Sequence, residues 1–263
     1  MASPLAGALL IPVVSGYTRR AMRIIGVDCA VAPEKTGVAV GHWDRESGGL
    51  TLERTARGSE AKPPVAIILD AVEEDTLLAL DAPLGWPEAF SRHLASHEAG
   101  AGIAAGADRF FRRRTDEEIA RRLGKRPMDV AADRIGRTAF AALSILTALR
   151  QAGRLPATLA WSPDEAARGV HAVETYPAGL LKARGLPAQG YKRPEQRRVR
   201  QEILHALEGA LEIRAPREEL LEDPDQLDAL LCALGAADFL NRLAPGPEDL
   251  DLARKEGWIW VRR

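Results

Sequence analysis

Between Met22 and Ala32 the chain runs MRIIGVDCAVA, an apolar segment interrupted by one acid, Asp28. A β-branched run of this length reads as a strand buried on both faces. Thr36 to Trp43 and Leu50 to Ala56 read as two more strands, joined through the turns Pro33-Glu34-Lys35 and Arg45-Glu46-Ser47-Gly48-Gly49. Short turns between strands predict an antiparallel meander. Pro63 and Pro64 then open a helix whose Val65, Ile68, Leu69 and Val72 recur at helical spacing. Leu77 to Leu80 is a short apolar strand that ends on Asp81. A strand reached through a helix runs parallel to its neighbour. Leu77 to Leu80 is therefore expected beside the first strand, with Asp81 at the same edge as Asp28.

From Gly85 to about Pro163 the pattern is helical with loops, and Thr138 to Gln151 forms an amphipathic helix within it. This block reads as an insertion, or cap, between the fourth and fifth strands. Val170 to Thr175 is the fifth strand, with Glu174 near its end and Tyr176-Pro177 breaking it before a short helix to about Arg184. The last long helix, Pro224 to Leu240, is apolar almost all round through Leu227, Leu230, Leu231, Cys232 and Leu234. Such a helix is a buried one. Gly257 to Val261, GWIWV, is expected as a final short strand. The fold class is α/β.

The chain has 263 residues, 46% of them hydrophobic, which suffices for one large domain with a real core or for two small ones. A formal net charge of -1 points to no class of partner. Its distribution says more: Arg109, Arg112, Arg113 and Arg114 form one basic run, and Lys192, Arg193, Arg197, Arg198 and Arg200 form another. The two cysteines, Cys29 and Cys232, lie in apolar runs without ligand spacing, so neither a zinc site nor a disulfide framework is indicated. Leu5 to Val14 is mildly apolar, but Arg19 and Arg20 follow it rather than precede it, unlike a signal peptide. Residues 1–21 are expected to be a loosely ordered extension. No later segment has a membrane-spanning length, and the expected location is cytoplasmic.

Three acids, Asp28, Asp81 and Glu174, end or interrupt strands that read as buried. Asp225 and Asp228 add a pair on one side of the last helix. Carboxylates brought together cannot all ionise without a counter-charge. Hard divalent cations are the usual answer, and an all-oxygen donor set favours Mg2+ or Mn2+. Two such ions about 4 Å apart promote phosphodiester hydrolysis, and the basic runs would hold a phosphate backbone. Each residue also has a plainer reading. Asp28 could pair with an arginine, Asp81 could be an Asx-turn acid, and Asp225 could be the N-cap of the last helix. The arginine runs could be solvated faces.

The segments IIGVDCAVAPEKTGVAVG, LLALDAPLGWP, RRRTD, VETYPAGLLKARG, GYK and DQLDALLCALGAADFL resemble the ribonuclease-H-like superfamily. More closely they resemble the family described as domain of unknown function 429, whose members are commonly regarded as nucleases. The resemblance spans nearly the whole chain from Met22. It implies a single domain over 22–263 with a five-stranded mixed sheet flanked by helices, and a helical insertion at about 85–163. It also implies acids of the central strand, of a later parallel strand and of the last helix meeting at one edge. On this mapping Asp28, Asp81, Asp225 and Asp228 are metal ligands and catalytic acids, and Glu174 joins the catalytic set without a secure counterpart. Arg112, Arg113, Arg114, Asp116, Lys182 and Lys192 would line the substrate cleft.

The leading expectation is a metal-dependent nuclease acting on DNA or RNA. One alternative is a nucleic-acid-binding protein of the same fold without catalysis. The other is a nucleotide-dependent phosphotransferase of the actin and sugar-kinase-like fold, against which Ala32-Pro33-Glu34-Lys35-Thr36 shows no glycine run for a phosphate loop.

Overall fold

The computed structural model describes residues 21–103, 105–130, 133–153 and 156–263. The extension expected over residues 1–21 lies outside them apart from Ala21. The apolar segment around Asp28 forms β1 (Ala21–Asp28), the central strand of a mixed sheet. β2 (Gly37–Asp44) and β3 (Leu50–Arg57) follow as the expected meander, each antiparallel to the strand before it. Helix α1 (Pro64–Leu69) crosses over to β4 (Thr76–Asp81), which pairs with β1 in parallel. The chain then builds α2 (Glu88–Leu94), α3 (Ala107–Phe111), α4 (Arg114–Leu123) and α5 (Asp133–Gly153). β5 (Thr158–Leu159) and β6 (Val170–Glu174) return to the sheet. There follow α6 (Pro177–Ala183), α7 (Arg197–Leu207), β7 (Leu211–Ile213), α8 (Arg217–Glu222), α9 (Pro224–Leu240) and α10 (Leu250–Glu256).

The strand order is β5-β6-β4-β1-β2-β3-β7, so the sheet has seven strands rather than five. The two additions are edge strands of two and three residues, β5 and β7. A period of two cannot be read from so few positions. β5 also interrupts the block expected to be helical up to Pro163. GWIWV makes a single parallel bridge, Ile259 to Glu174, instead of a strand. In that bridge the Trp260 N–H donates to the Glu174 carbonyl at 2.9 Å, while the Ile259 N–H goes to Thr115 Oγ1 at 2.8 Å.

Strand alternation splits the core into two layers. Met22, Ile24, Ala39, Leu77 and Ala79 pack with α9 on one face. Ile25, Val27, Val38, Leu78 and Leu80 pack with residues of α1 and α5 on the other. From Leu227 to Leu240 every residue of α9 is buried, as its all-round apolarity predicts. The helix lies against the backbones of β1 and β2 because one position in each, Gly26 and Gly37, lacks a side chain. A Cβ on Gly26 would fall 2.0 Å from the Ala229 carbonyl oxygen, and one on Gly37 would fall 2.2 Å from that of Asp225. This close approach sets the distance between the acids of β1 and those of α9. Among the described residues, no helix is long and apolar enough to cross a membrane.

Candidate metal centre

Alternation within the strands decides which acids meet. Asp28 shares parity with Met22, Ile24 and Gly26, so its side chain leaves β1 on the α9 face. Asp81 shares parity with Leu77 and Ala79, and it pairs in register with Asp28 across β1 and β4. Asp228 stands one turn into α9, above them. The three offer carboxylate oxygens that all lie within 4.8 Å of one another. Asp28 and Asp228 are buried, at 7% and 1% exposure, and Asp81 forms the partly exposed rim.

This concentration of charge has two compensating neighbours from the loop before α7. Lys192 Nζ contacts Asp228 Oδ2 and lies 3.5 Å from Asp28 Oδ2. The Tyr191 hydroxyl donates to Asp228 Oδ1 at 2.7 Å. Burial lifts the Asp28 carboxyl well above the usual carboxylate range; Lys192 opposes the shift, and Asp228, Asp81 and Asp225 add to it. Burial also raises Asp228, against Lys192 and Tyr191. Asp81 is pushed up to about 7 by burial and then by the Asp228 charge. Asp81 makes no hydrogen bond or ion pair among the described residues, so the Asx-turn reading has no support. Burial works against the charge of Lys192, but Asp228 and Asp28 outweigh it and hold the ammonium above its ordinary range. One cation for three carboxylates leaves the cluster short of positive charge.

Asp225 stays at the margin. Asp223, not Asp225, caps α9, accepting from the backbone N–H groups of Asp225 and Gln226. The Asp225 carboxylate pairs with Arg57 at 3.1 Å. It stands outside the trio at the start of the helix, although its charge is felt at Asp28.

Glu174 does not join the trio either. Its register partner on β4 is Leu80, so it leaves β6 on the opposite face from Asp81. There it forms a bidentate pair with Arg113, at 2.7 and 2.8 Å, and accepts the Leu84 N–H at 3.0 Å. Arg113 also reaches Asp116 Oδ1 at 2.9 Å and the Glu256 carbonyl at 3.2 Å. Arg113, Asp116 and Glu174 are all deeply buried (1%, 2% and 3% exposed). Burial lifts the Glu174 carboxyl above its ordinary range, with Arg113 pulling the other way. Arg113 and Asp116, expected in the substrate cleft, are the interior of this hub.

The remaining basic residues are largely occupied. Arg112 bonds to Asp108 and Asp129, and Arg114 to Glu117. Both border a groove of 1010 Å³ whose wall mixes arginines with Glu88, Glu117, Glu118 and Glu256, and which does not include the acid trio. Arg197 pairs with Glu218 and Glu222, and Arg198 with Glu202. Lys182 is exposed at the end of α6. Of the expected cleft residues, Lys192 alone reaches the trio. A cavity of 210 Å³ does open beside Asp81, bordered by Cys29, Pro83, Met128, Thr138 and Tyr176. Cys29 and Cys232 are buried free thiols, as expected of core residues.

Sequence reasoning missed two supporting residues. Tyr191 is buried and fixes Asp228; its signal was its place in the GYK segment beside Lys192. Arg200 hid inside a basic run. It is 1% exposed and donates to the carbonyls of Leu221 at 2.6 Å, Tyr191 at 2.6 Å and Arg193 at 2.8 Å. The available signal was spacing: Arg200 shares a helical stripe with Ile203, Leu204 and Leu207, the buried side of α7.

The donor set fits a hard divalent cation: all oxygen, clustered, mostly buried and under-neutralised. The profile of a family described as "Protein of unknown function (DUF429)" matches residues 26–248, which include all three acids and Lys192. The chain belongs to that family. No curated protein and no solved structure matches it.

Proposed function

We propose that the protein is a metal-dependent nuclease of ribonuclease-H-like fold. Its centre is Asp28, Asp81 and Asp228, and its cation is Mg2+ or Mn2+. The observation that carries this reading is the convergence of three carboxylates within 4.8 Å on one face of the sheet. An acid on the central strand, one on the adjacent parallel strand and one in the last long helix is the disposition that a ribonuclease-H-like site requires. A divalent cation there supplies Lewis-acid polarisation of a phosphoryl oxygen and lowers the pKa of water at the site.

The residues of the chain take distinct parts. Asp28, Asp81 and Asp228 hold the cation. Tyr191 fixes one Asp228 oxygen, and burial followed by the Asp228 charge keeps its phenol protonated as a donor. Lys192, which in this structure lies against Asp228 and Asp28, is the residue assigned the contact with a substrate phosphate. Arg112, Arg113, Arg114, Arg197, Arg198 and Arg200 already have protein partners and are not assigned a substrate role. The cavity beside Asp81, at 210 Å³, is smaller than the ~300–1,000 Å³ of typical small-molecule sites. A space of that size does not admit an intact duplex, whose bases must leave the stack to enter it.

The phosphotransferase alternative lacks a phosphate loop where the fold would place one. The turn between β1 and β2 is a short Pro33–Lys35 helical turn with no glycine run. The non-catalytic alternative draws on Lys192, which neutralises part of the cluster without any metal.

The test is cleavage of a labelled panel of single-stranded and duplex DNA and RNA with Mg2+ or Mn2+, comparing wild type with Asp28→Asn. The expected result is metal-dependent hydrolysis, faster on single strands, falling by at least ~10²-fold in the variant. Cation binding with no cleavage of any nucleic acid would contradict the nuclease reading. Unchanged cleavage in Asp28→Asn would remove the site from the reaction.

A further inference from the structure

We propose that Lys192 is an internal counter-cation: its ammonium fills the acid cluster in the cation-free protein, and a divalent ion displaces it. The displaced side chain then turns toward the phosphate of the substrate. This inference rests on the divalent-centre reading above.

Three observations carry it. First, the ammonium already sits where a cation would be held, in contact with Asp228 and 3.5 Å from Asp28. Among the described residues no other cation pairs with the trio. A divalent ion sharing those oxygens would stand within a few ångströms of the ammonium. Like charges at that range in a partly buried site repel strongly, so the two are alternatives.

Second, the backbone on both sides of Lys192 is fixed. Tyr191 is buried and bonded to Asp228, while Arg200 holds the carbonyls of Tyr191 and Arg193 from inside the protein. The loop has no freedom to withdraw as a body. Exchange must occur by rotation of the Lys192 stem, which is flexible and ends in a compact point charge. Third, that stem has a way out: the side chain is 47% exposed, although its ammonium meets buried carboxylates.

The consequence is a threshold. Each divalent ion bound must break the lysine's ion pairs, so wild-type affinity is weaker than the three carboxylates alone would give. Occupied and empty states also differ in where Lys192 points, which couples cation binding to the phosphate contact.

Calorimetric titration of Mn2+ into wild type, Lys192→Gln and Lys192→Arg at one pH and ionic strength tests this. Lys192→Gln should bind about tenfold or more tightly than wild type. Lys192→Arg, which keeps the charge, should stay within about threefold. Equal or weaker binding by Lys192→Gln would overturn the proposal while leaving the metal centre intact. Absence of binding in every form would overturn both. A measurement on wild type alone guards against a misfolded variant. Reductive methylation of lysines, followed by mass spectrometry, should modify Lys192 slowly without divalent ions and several-fold faster with saturating Mn2+. A rate insensitive to Mn2+ would overturn the displacement.

Discussion

Two buried carboxylate clusters lie close together in this fold, and they differ in how their charge is answered. In one, Glu174 and Asp116 share a guanidinium that meets both through several hydrogen bonds, with the Leu84 N–H and the Glu256 carbonyl completing the set. In the other, Asp28 and Asp228 share one flexible ammonium, and Asp81 has no hydrogen-bond or ion-pair partner among the described residues. A buried charge is tolerated when it is paired and fully hydrogen-bonded. The first cluster meets that condition and ties the start of α4, β6 and the end of α10 together. The second does not, and a shortfall of positive charge in a buried all-oxygen site is what a hard cation can fill. Acidity alone therefore does not mark a site here. The state of compensation does.

The sharpest way to break the contrast is to remove the guanidinium. Arg113→Met leaves Glu174 and Asp116 buried without their partner, and breaking such a pair costs about 3–5 kcal/mol. Thermal melts should show the midpoint falling by roughly 10 °C. A smaller loss is expected from Gly26→Ala, whose methyl would meet the Ala229 carbonyl and push α9 from β1. Overpacking of this kind costs about 1–3 kcal/mol. Because it separates Asp28 from Asp228, it should also weaken Mn2+ binding, measured by calorimetry.

The trio should respond with the opposite sign. The Asp81 carboxyl is raised from 3.8 to about 7 in the folded state by burial and then by Asp228. The folded protein therefore holds that proton more tightly than the unfolded chain. The associated stability is fully present below about pH 4 and is lost as the pH rises toward 7. Asp81→Asn should accordingly melt higher than wild type at about pH 8 without divalent ions, and no higher at about pH 4. Each pKa unit of relieved penalty corresponds to about 1.4 kcal/mol, or ~3–6 °C in the midpoint. A variant less stable at the higher pH would place Asp81 with the compensated acids. The smallest effect belongs to exposed pairs such as Arg197 with Glu218 and Glu222. Arg197→Ala should change stability by less than about 1 kcal/mol, and filter binding should show no selective loss of nucleic-acid affinity.

Much of this is legible in the amino-acid sequence alone. The MRIIGVD strand and the Pro224–Leu240 helix stand out because burial on all sides leaves an unbroken apolar signature. The meeting of Asp28 with Asp81 follows from a helical crossover imposing a parallel strand. Glu174 shows where such reasoning stops. In LLALDAP and VHAVETYP the acids stand at similar strand ends, but the pairing sets Leu80, not Asp81, opposite Glu174. One residue of register moves a side chain to the other face, and register depends on contacts between strands that one strand's sequence does not contain. The arginine runs mislead for a related reason. Arg113 and Arg200 are buried structural ties, while Arg112, Arg114, Arg197 and Arg198 meet acids brought near by the fold or by the same helix.

The central claim is that the under-compensated trio is a divalent-cation centre. It is tested most directly by calorimetric titration of Mn2+ at about pH 8, above the raised Asp81 value, into wild type and Asp28→Asn, each shown to be folded by its melting curve. The account predicts a saturable binding isotherm in wild type that disappears in the variant. A wild-type protein that shows no binding up to millimolar Mn2+, or a variant that binds as well as wild type, would contradict it.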